Sequence, residues 1–328
     1  MSNKGISVVI PNYNGSQLLP QVLPPLIEAL QLSELPYEII VSDDASTDNS
    51  ISFLKSHYPQ VLLICNEHNG GFSPTINKGI FAAQYDYVLL LNSDVKLTSG
   101  YFKPLLKYFD KEDTFGVMGR IVGWDDELIQ DAAKYPSLHG AKIKTSGNYY
   151  LAHPAENDWL YSMYLSGANA LVSREKLMSM NGFNEIFAPF YVEDFELSLR
   201  AWRLGYKCYY EHFAICRHKT STTIAGSIKK KQIKKIYNRN KMYLHAIHLE
   251  KGKRLLWFAQ LFLESIIQLI ALKKYYIKAL FLFLSSYKKV IDSRAAIKLS
   301  AKERKLLPVK KVINQIINSI EGKEIIRF

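Results

Sequence analysis

Short runs of apolar residues alternate with longer segments of helical periodicity in the first hundred residues. The apolar runs cover residues 6–10, 37–41, 61–64 and 87–91. Runs this short, without polar residues at alternate positions, are typical of strands buried on both faces. Four strands that alternate with helical segments predict an α/β fold, with a doubly wound parallel sheet and right-handed crossovers.

The fourth apolar run ends abruptly in the polar residues Asn92, Ser93 and Asp94. In an open α/β sheet, ligands bind outside the carboxyl ends of the strands. A carboxylate at that place suits a divalent cation that bridges phosphate oxygens. The alternative is a strand-end turn in which Asn92 and Asp94 only satisfy backbone groups.

Polar residues also follow the first three runs. Pro11 and Asn12 end the first strand, and Asp43 and Asp44 end the second. Two adjacent carboxylates are more than a helix cap requires. After the third run, Asn69 opens a glycine-rich turn that leads into a helix, where backbone N–H groups can face a phosphate. The turn matches no established phosphate-binding motif and is weak evidence alone.

Further along the chain, two segments combine small or acidic residues with a predicted element. Residues 165–172 form a predicted strand, and its small residue Gly167 permits close approach of a ligand. Glu193 and Asp194 occupy the first turn of a predicted helix, where acids complement the helix dipole. Neighbouring carboxylates also perturb each other's pKa, which can prepare one of them as a general base.

His218 follows a predicted strand and lies among cationic and hydroxyl side chains, which are Arg217, Lys219, Thr220, Ser221 and Thr222. A lone histidine is more often structural than functional. Its position at a strand end nevertheless makes His218 a candidate for contact with a metal or a diphosphate.

The net charge of +12 divides unevenly along the chain. Residues 1–228 hold 18 Lys and Arg against 24 Asp and Glu, a net charge of −6. Residues 229–328 hold 24 against 6, a net charge of +18. Three cysteines lack the spacing of metal ligands and cannot all pair, which fits a reducing compartment. We therefore expect two domains, 1–245 and 246–328, and a cytoplasmic location.

The second domain is predicted to be helical, basic and rich in apolar residues. Its apolar segments are interrupted by polar residues and are too short for a confident transmembrane helix. Basic residues beside aromatic and aliphatic ones suit a helix at the surface of an anionic membrane. The alternative is a helical subdomain that packs on the core or on a second copy. Nucleic-acid binding is disfavoured, because no recognised nucleic-acid-binding motif accompanies the charge.

The order and spacing of these motifs resemble glycosyltransferase family 2, over residues 5–245. The motifs are Val8-Val9-Ile10-Pro11-Asn12-Tyr13-Asn14, Ser42-Asp43-Asp44-Ala45-Ser46-Thr47-Asp48, Asn69-Gly70-Gly71-Phe72, Leu91-Asn92-Ser93-Asp94, and Gly182-Phe183-Asn184-Glu185 with Glu193-Asp194. Tyr237-Asn238-Arg239-Asn240 further resembles an element of rhamnosyltransferase-like members. The resemblance implies a GT-A fold, which is a Rossmann-like mixed sheet with flanking helices.

The resemblance also implies a donor site for a nucleotide-diphosphate sugar. Pro11 and Asn12 would line the nucleotide pocket, and Asp43 would bind the uracil or thymine base. The complete donor-binding set implied in this way is Pro11, Asn12, Asp43, Asn69, Asn92, Ser93 and Gly167.

The catalytic roles implied by the resemblance fall on few residues. Asn92 and Asp94 stand where the family has its D-x-D motif, and Asp94 would bind Mn²⁺ or Mg²⁺. Since Asn92 replaces a carboxylate, His218 and the diphosphate would have to assist. Asp194 would be the base that deprotonates the acceptor hydroxyl.

Together these features predict a metal-dependent, inverting glycosyltransferase. Its acceptor would be lipid-linked or a polysaccharide, and it would lie peripherally on the inner face of the plasma membrane; a homo-oligomer is left open. The rival enzyme is a sugar-phosphate nucleotidyltransferase, although its N-terminal glycine-rich loop with a following arginine is missing. The rival without catalysis is a membrane scaffold that retains a transferase fold.

Overall fold

The computed structural model describes residues 3–219, 230–301 and 305–328. The strands are β1 (Ile6–Asn12), β2 (Tyr37–Asp43), β3 (Leu62–Cys65), β4 (Tyr87–Leu91), β5 (Val95–Leu97), β6 (Thr114–Gly123), β7 (Ile129–Asp131), β8 (Ala133–His139), β9 (Lys142–Leu151), β10 (Leu160–Tyr161), β11 (Asn169–Ser173), β12 (Lys207–His218) and β13 (Ile325–Arg327). The helices are α1 (Leu19–Gln31), α2 (Ser50–His57), α3 (Phe72–Ala82), α4 (Lys103–Leu106), α5 (Arg174–Ser179), α6 (Glu193–Arg203), α7 (Lys230–His248), α8 (Lys251–Ile270), α9 (Lys274–Ser285), α10 (Tyr287–Ala301) and α11 (Val309–Asn318). Short 3₁₀ helices cover Lys107–Asp110 and Glu185–Phe187.

The four apolar runs form neighbouring parallel strands, as predicted. β1 pairs in parallel with β2 and with β4, and β3 continues the sheet beyond β2. All four strands therefore end at the same edge of the sheet. The polar residues that follow them are collected at that edge.

The other half of the main sheet is mixed. β11 lies between β4 and β6 and runs antiparallel to both, and β12 runs parallel to β6. β12 is long and continues through a register shift to His218. Its last three residues pair antiparallel with β5.

Helix α6 carries the predicted acids in its first turn. The helix ends at Arg203, and Gly205 shortly after it has a φ of +97°, a conformation that favours glycine. The carboxylate of Glu196, also in the first turn, is fully buried and lies 3.0 Å from the guanidinium of Arg200 and 3.2 Å from the imidazole of His248. The contact with His248 ties α6 to the end of α7.

The basic C-terminal region is helical, as predicted, and packs on the first part of the chain. Trp257 is 1% exposed, and its ring stacks on His245 of α7 at 5.6 Å. β13 adds to β9 in a second, three-stranded sheet of order β13-β9-β8. Apolar residues of α8 to α11 belong to the same hydrophobic cluster as strands β4, β6 and β11. The division into domains 1–245 and 246–328 stays a prediction.

Across residues 3–219, 230–301 and 305–328, no helix combines the length and the apolar character needed to span a membrane.

Candidate functional site

A cavity of about 630 Å³ opens at the carboxyl ends of β1 and β4, between the start of α6 and the start of α7. Nine of the predicted site residues line it: Pro11, Asn12, Asn69, Asn92, Ser93, Asp94, Gly167, Asp194 and His218. The structure thus brings together side chains separated by up to two hundred residues in the sequence.

Pairing between β5 and the end of β12 places His218 beside Asp94. The backbone N–H of Lys219 donates to the carbonyl of Asp94 at 3.0 Å, and Nε2 of His218 lies 3.6 Å from a carboxylate oxygen of Asp94. The other ring nitrogen, Nδ1, is 3.1 Å from Oε1 of Gln130. The Asp94 carboxylate raises the pKa of His218. When Nδ1–H donates to Gln130, Nε2 of the neutral ring carries the free lone pair.

The side chains of Asn92, Asp94 and His218 fit a divalent cation. Among the residues that the structure describes, Oδ1 of Asn92 and Oδ1 of Asp94 are buried and have no hydrogen-bond partner. Carboxylate oxygen, amide oxygen and imidazole nitrogen are ligands that Mn²⁺ accepts, whereas Mg²⁺ favours the oxygens alone. The described chain holds no group of three or more His, Cys, Asp or Glu arranged for a metal. Phosphate oxygens of a ligand would therefore have to complete the coordination.

The hydroxyl residues predicted to accompany His218, Thr220, Ser221 and Thr222, lie outside the described residues.

The adjacent carboxylates at the end of β2 point in different directions. Asp43, predicted to bind the nucleotide base, is fully buried behind the lining and accepts from Asn12 at 2.7 Å and from the Ser46 hydroxyl at 2.6 Å. Asp44 lies on the lining instead, and its two oxygens accept the backbone N–H groups of Gly70 and Gly71 at 2.8 and 2.9 Å. Asp43 shapes the pocket through Asn12, and base binding by Asp43 stays a prediction.

Gly71 lies where the start of α3 contacts the turn of residues 188–192, and both segments line the cavity. Its φ is +85°, and a Cβ at this position would lie 2.5 Å from Cα of Pro189. The next residue, Phe72, donates its N–H to the carbonyl of Pro189 at 2.7 Å. A side chain at position 71 would therefore push the 188–192 turn away from the start of α3.

Burial raises the pKa of both Glu193 and Asp194. The charge of Asp194 raises the pKa of Glu193 further, whereas a hydrogen bond from the N–H of Phe195 and the charge of Lys134 favour ionised Asp194. Oε2 of Glu193 is buried and has no partner within the described part of the chain. Of the two acids, Asp194 is the one that stays ionised more readily, which suits a general base.

The turn before these acids has a strained backbone. Tyr191 and Val192 have φ values of 75° and 76°, which are uncommon for residues other than glycine and costly for a β-branched one. Asn240 of α7 holds this turn. Its fully buried amide donates to the carbonyls of Phe187 at 2.6 Å, Phe190 at 3.0 Å and Tyr191 at 2.8 Å.

Arg239 supports the same amide from α7. Its guanidinium donates to Oδ1 of Asn240 at 2.8 and 3.0 Å and also to the carbonyl of Ala188. The Arg-Asn element noted in the sequence thus holds the turn that leads into the acids.

Several lining residues escaped the sequence prediction: Tyr13, Asp44, Phe72, Thr75, Pro189, Phe190, Tyr191, Glu193, Gln232 and Ile236. The doublets Asp43-Asp44 and Glu193-Asp194 were visible signals, but the sequence does not show that one member of the first doublet and both members of the second line the cavity. The aromatic turn carried no chemical signature, and α7 carried only the Arg-Asn element.

Replacing Asn240 by alanine should lower the free energy of unfolding by about 1–3 kcal/mol, because buried carbonyls then lack a donor. Asn238→Ala is the matched control, since that side chain makes one bond, to the carbonyl of Lys234. Urea denaturation of both variants measures the difference. Equal effects would contradict the role given to Asn240.

Known proteins resemble this chain in sequence. Over 228 residues, the chain is 27% identical to a chondroitin synthase of Pasteurella multocida, covering 62% of this chain and 23% of that protein. Over 216 residues, it is 25% identical to an N-acetylglucosaminyl-diphospho-decaprenol L-rhamnosyltransferase of Mycobacterium tuberculosis, covering 58% of this chain and 69% of that protein. The match thus spans less than a quarter of the first relative and about two thirds of the second.

Solved structures share the fold. GalNAc-T7 with UDP, GalNAc and Mn²⁺ superimposes with a TM-score of 0.65 at 15% identity, covering 97% of this chain and 57% of that one. S. aureus TarS 1-349 in complex with UDP-GlcNAc gives a TM-score of 0.51 at 14% identity, covering 94% and 84%. These likenesses confirm the predicted GT-A architecture.

The family model described as Glycosyl transferase family 2 matches residues 7–179, which are 173 of the 328 residues. The matched region contains the polar ends of β1, β2 and β4. With this match over more than half of its length, the chain belongs to glycosyl transferase family 2.

Proposed function

We propose that this protein is a metal-dependent, inverting glycosyltransferase that uses a UDP- or dTDP-sugar. Its acceptor would be a lipid-linked glycan or a polysaccharide of the cell surface. One observation carries the proposal: Asn92 and Asp94, each with a buried oxygen that has no hydrogen-bond partner among the described residues, line the same cavity as the perturbed acids Glu193 and Asp194. A site for a bridging cation and a site for a base are what a direct displacement needs.

In the proposed reaction, Asp194 accepts the proton of the acceptor hydroxyl. The acceptor oxygen forms a bond to C1 of the sugar while the bond from C1 to the diphosphate oxygen breaks. The electron pair of that bond leaves with the diphosphate, and attack from the opposite side inverts C1. Asn92, Asp94 and His218 would hold Mn²⁺ or Mg²⁺, which when bound supplies charge neutralisation for the diphosphate. A second acid that protonates the leaving group is therefore not required, unlike in glycoside hydrolysis.

The comparisons support the donor and acceptor classes. The two solved structures named above contain UDP, GalNAc, UDP-GlcNAc and Mn²⁺, and one relative is named for a diphospho-decaprenol substrate. The family match argues against a nucleotidyltransferase. The assembly of Asp94, His218 and Asp194 in one cavity favours an enzyme over a scaffold.

The outer face of α8 supports association with a membrane. This face is apolar along the helix and consists of exposed residues: Leu255, Leu256, Phe262, Leu263, Ile266, Ile267 and Ile270. Exposed lysines lie at both ends of the helix: Lys251 and Lys253 at its start, and Lys273 and Lys274 just after its end. The acidic Glu264 is turned inward to Lys142 and Tyr276. Apolar residues between cations suit the inner, anionic face of the plasma membrane.

Binding of UDP and dTDP to the wild type should depend on Mn²⁺, and Asp94→Ala should weaken it at least tenfold. The reason is that the carboxylate holds the cation that neutralises the diphosphate. Calorimetry with and without Mn²⁺ measures this, with Asp292→Ala as a surface-carboxylate control. Nucleotide binding that does not depend on Mn²⁺ would refute the role of Asp94 as a metal ligand, but it would still support the cavity as the nucleotide site.

Asp194→Asn should abolish transfer and leave nucleotide binding intact, because an amide cannot accept the proton. The loss should be about 10²-fold or more, a typical share for general base catalysis. Release of UDP or dTDP from a panel of nucleotide sugars measures turnover, and Glu193→Gln should lose less. Near-normal turnover of Asp194→Asn would refute the base assignment.

The full-length protein should sediment with vesicles that contain phosphatidylglycerol, and Phe262→Asp with Ile266→Asp should stay in the supernatant. Substitution is preferable to truncation after residue 245, because α8 to α11 share the core. Leu128→Asp is the control, since Leu128 is 72% exposed and lies elsewhere. Equal pelleting of all variants would exclude lipid binding through α8.

A further inference from the structure

An aromatic cluster forms one wall of the cavity beside the acids. Tyr191 lines the cavity with 36% of its surface exposed. Its ring meets Phe190 edge-on, with centroids 5.0 Å apart, and meets Tyr237 edge-on at 6.1 Å. Both neighbouring rings are perpendicular to the Tyr191 ring, so neither is stacked parallel on its face.

The structure keeps this ring in place at an energetic cost. Tyr191 has a left-handed backbone, and its carbonyl accepts the amide of Asn240 at 2.8 Å. On its far side, Tyr237 is supported by Lys241, whose Nζ lies 5.0 Å from the ring centroid. Strained residues that are held rigidly and still exposed are concentrated at ligand-binding sites.

The cluster lies next to both acids. The charge of Glu193 contributes to the raised pKa of Tyr191, and the charge of Asp194 contributes to that of Tyr237. Tyr191 and both acids line the same cavity, so a ligand that rests on the Tyr191 ring would lie beside the acid pair.

The charges of the lining restrict that ligand. Four carboxylates, those of Asp44, Asp94, Glu193 and Asp194, are on the lining, and no Lys or Arg lines it within the described residues. A phosphate group placed beside Glu193 and Asp194 would meet the like charge of Asp194, and no Lys or Arg of the described lining is there to bind it. A neutral ring with hydroxyl groups can donate hydrogen bonds to these carboxylates. Its C–H bonds can meanwhile lie on the negative face of the aromatic ring.

We propose that Tyr191 is the platform of an acceptor subsite that binds an uncharged pyranose ring. This proposal rests on the proposed function and narrows its acceptor to a sugar hydroxyl, in place of a lipid phosphate. Phe190 and Tyr237 orient the platform, and the acceptor hydroxyl is directed to Asp194.

Saturation-transfer NMR tests the subsite in the presence of UDP and Mn²⁺. The probes are the methyl glycosides of glucose, galactose, N-acetylglucosamine and rhamnose, compared with farnesyl phosphate and glucose 1-phosphate. We expect saturation of the ring protons of at least one methyl glycoside and none of the two phosphates. Tyr191→Ala should reduce that signal at least fivefold, whereas Tyr191→Phe should retain it.

Phe213→Ala is the matched control, because Phe213 is an aromatic residue of similar exposure, 41%, that is not on the lining. Saturation of a phosphate in place of the glycosides, equal signals in Tyr191→Ala, or no saturated probe would each overturn the proposal. Repeating the experiment without nucleotide, beside calorimetric binding of UDP, separates the two proposals. A glycoside signal that depends on Tyr191 in a protein that binds no UDP would refute the donor site and leave the subsite standing.

Discussion

Four carboxylates meet in one cavity, and this concentration of negative charge constrains the chemistry of the site. Asp44 is compensated by backbone N–H groups, because its two oxygens accept from the turn that opens α3. Asp94 faces His218 and keeps one oxygen without a partner inside the described structure. Glu193 and Asp194 remain side by side at the start of α6, with the pKa of each raised by burial. Such charge can be balanced in two ways. A cation can bind beside Asp94, and the Glu193–Asp194 pair can share a proton.

The Asp94–His218 pair and the Glu193–Asp194 pair are positioned by different parts of the fold. The cation side lies on the sheet, where β5 and β12 pair and fix the distance between Asp94 and His218. Glu193 and Asp194 follow a turn whose strained backbone accepts hydrogen bonds from Asn240 of α7. Because Asn240 bonds to the turn itself, the placement of the acids depends on a helix that follows them by about forty residues.

The C-terminal region packs against α7, the helix that holds this turn. α7 packs against α9 and α10, and Trp257 of α8 stacks on His245 of α7. α8, which carries the exposed apolar face, is thus in contact with α7, the helix that holds the turn before Glu193 and Asp194. Binding of the outer face of α8 to a lipid surface would set the orientation of the cavity relative to that surface.

The sequence by itself determined the parallel half of the sheet and nine of the residues that line the cavity. Buried strands cannot retain unpaired polar side chains, so Asn12, Asp43 and Asn92 to Asp94 had to stand where their strands end. Parallel strands end at one edge, so these residues had to be neighbours. The order of the motifs also identified the family, which the family match confirmed.

Only the tertiary structure decided that one member of the Asp43-Asp44 doublet faces the cavity, whereas both Glu193 and Asp194 do. Asp43 and Asp44 are equivalent in a local pattern, but a buried partner, Asn12, draws Asp43 inward while the glycine turn binds Asp44. The aromatic wall at Tyr191 likewise depends on Asn240. These contacts join segments 27, 31 and 49 residues apart, leave no periodic signal in the sequence, and determine the geometry of this site.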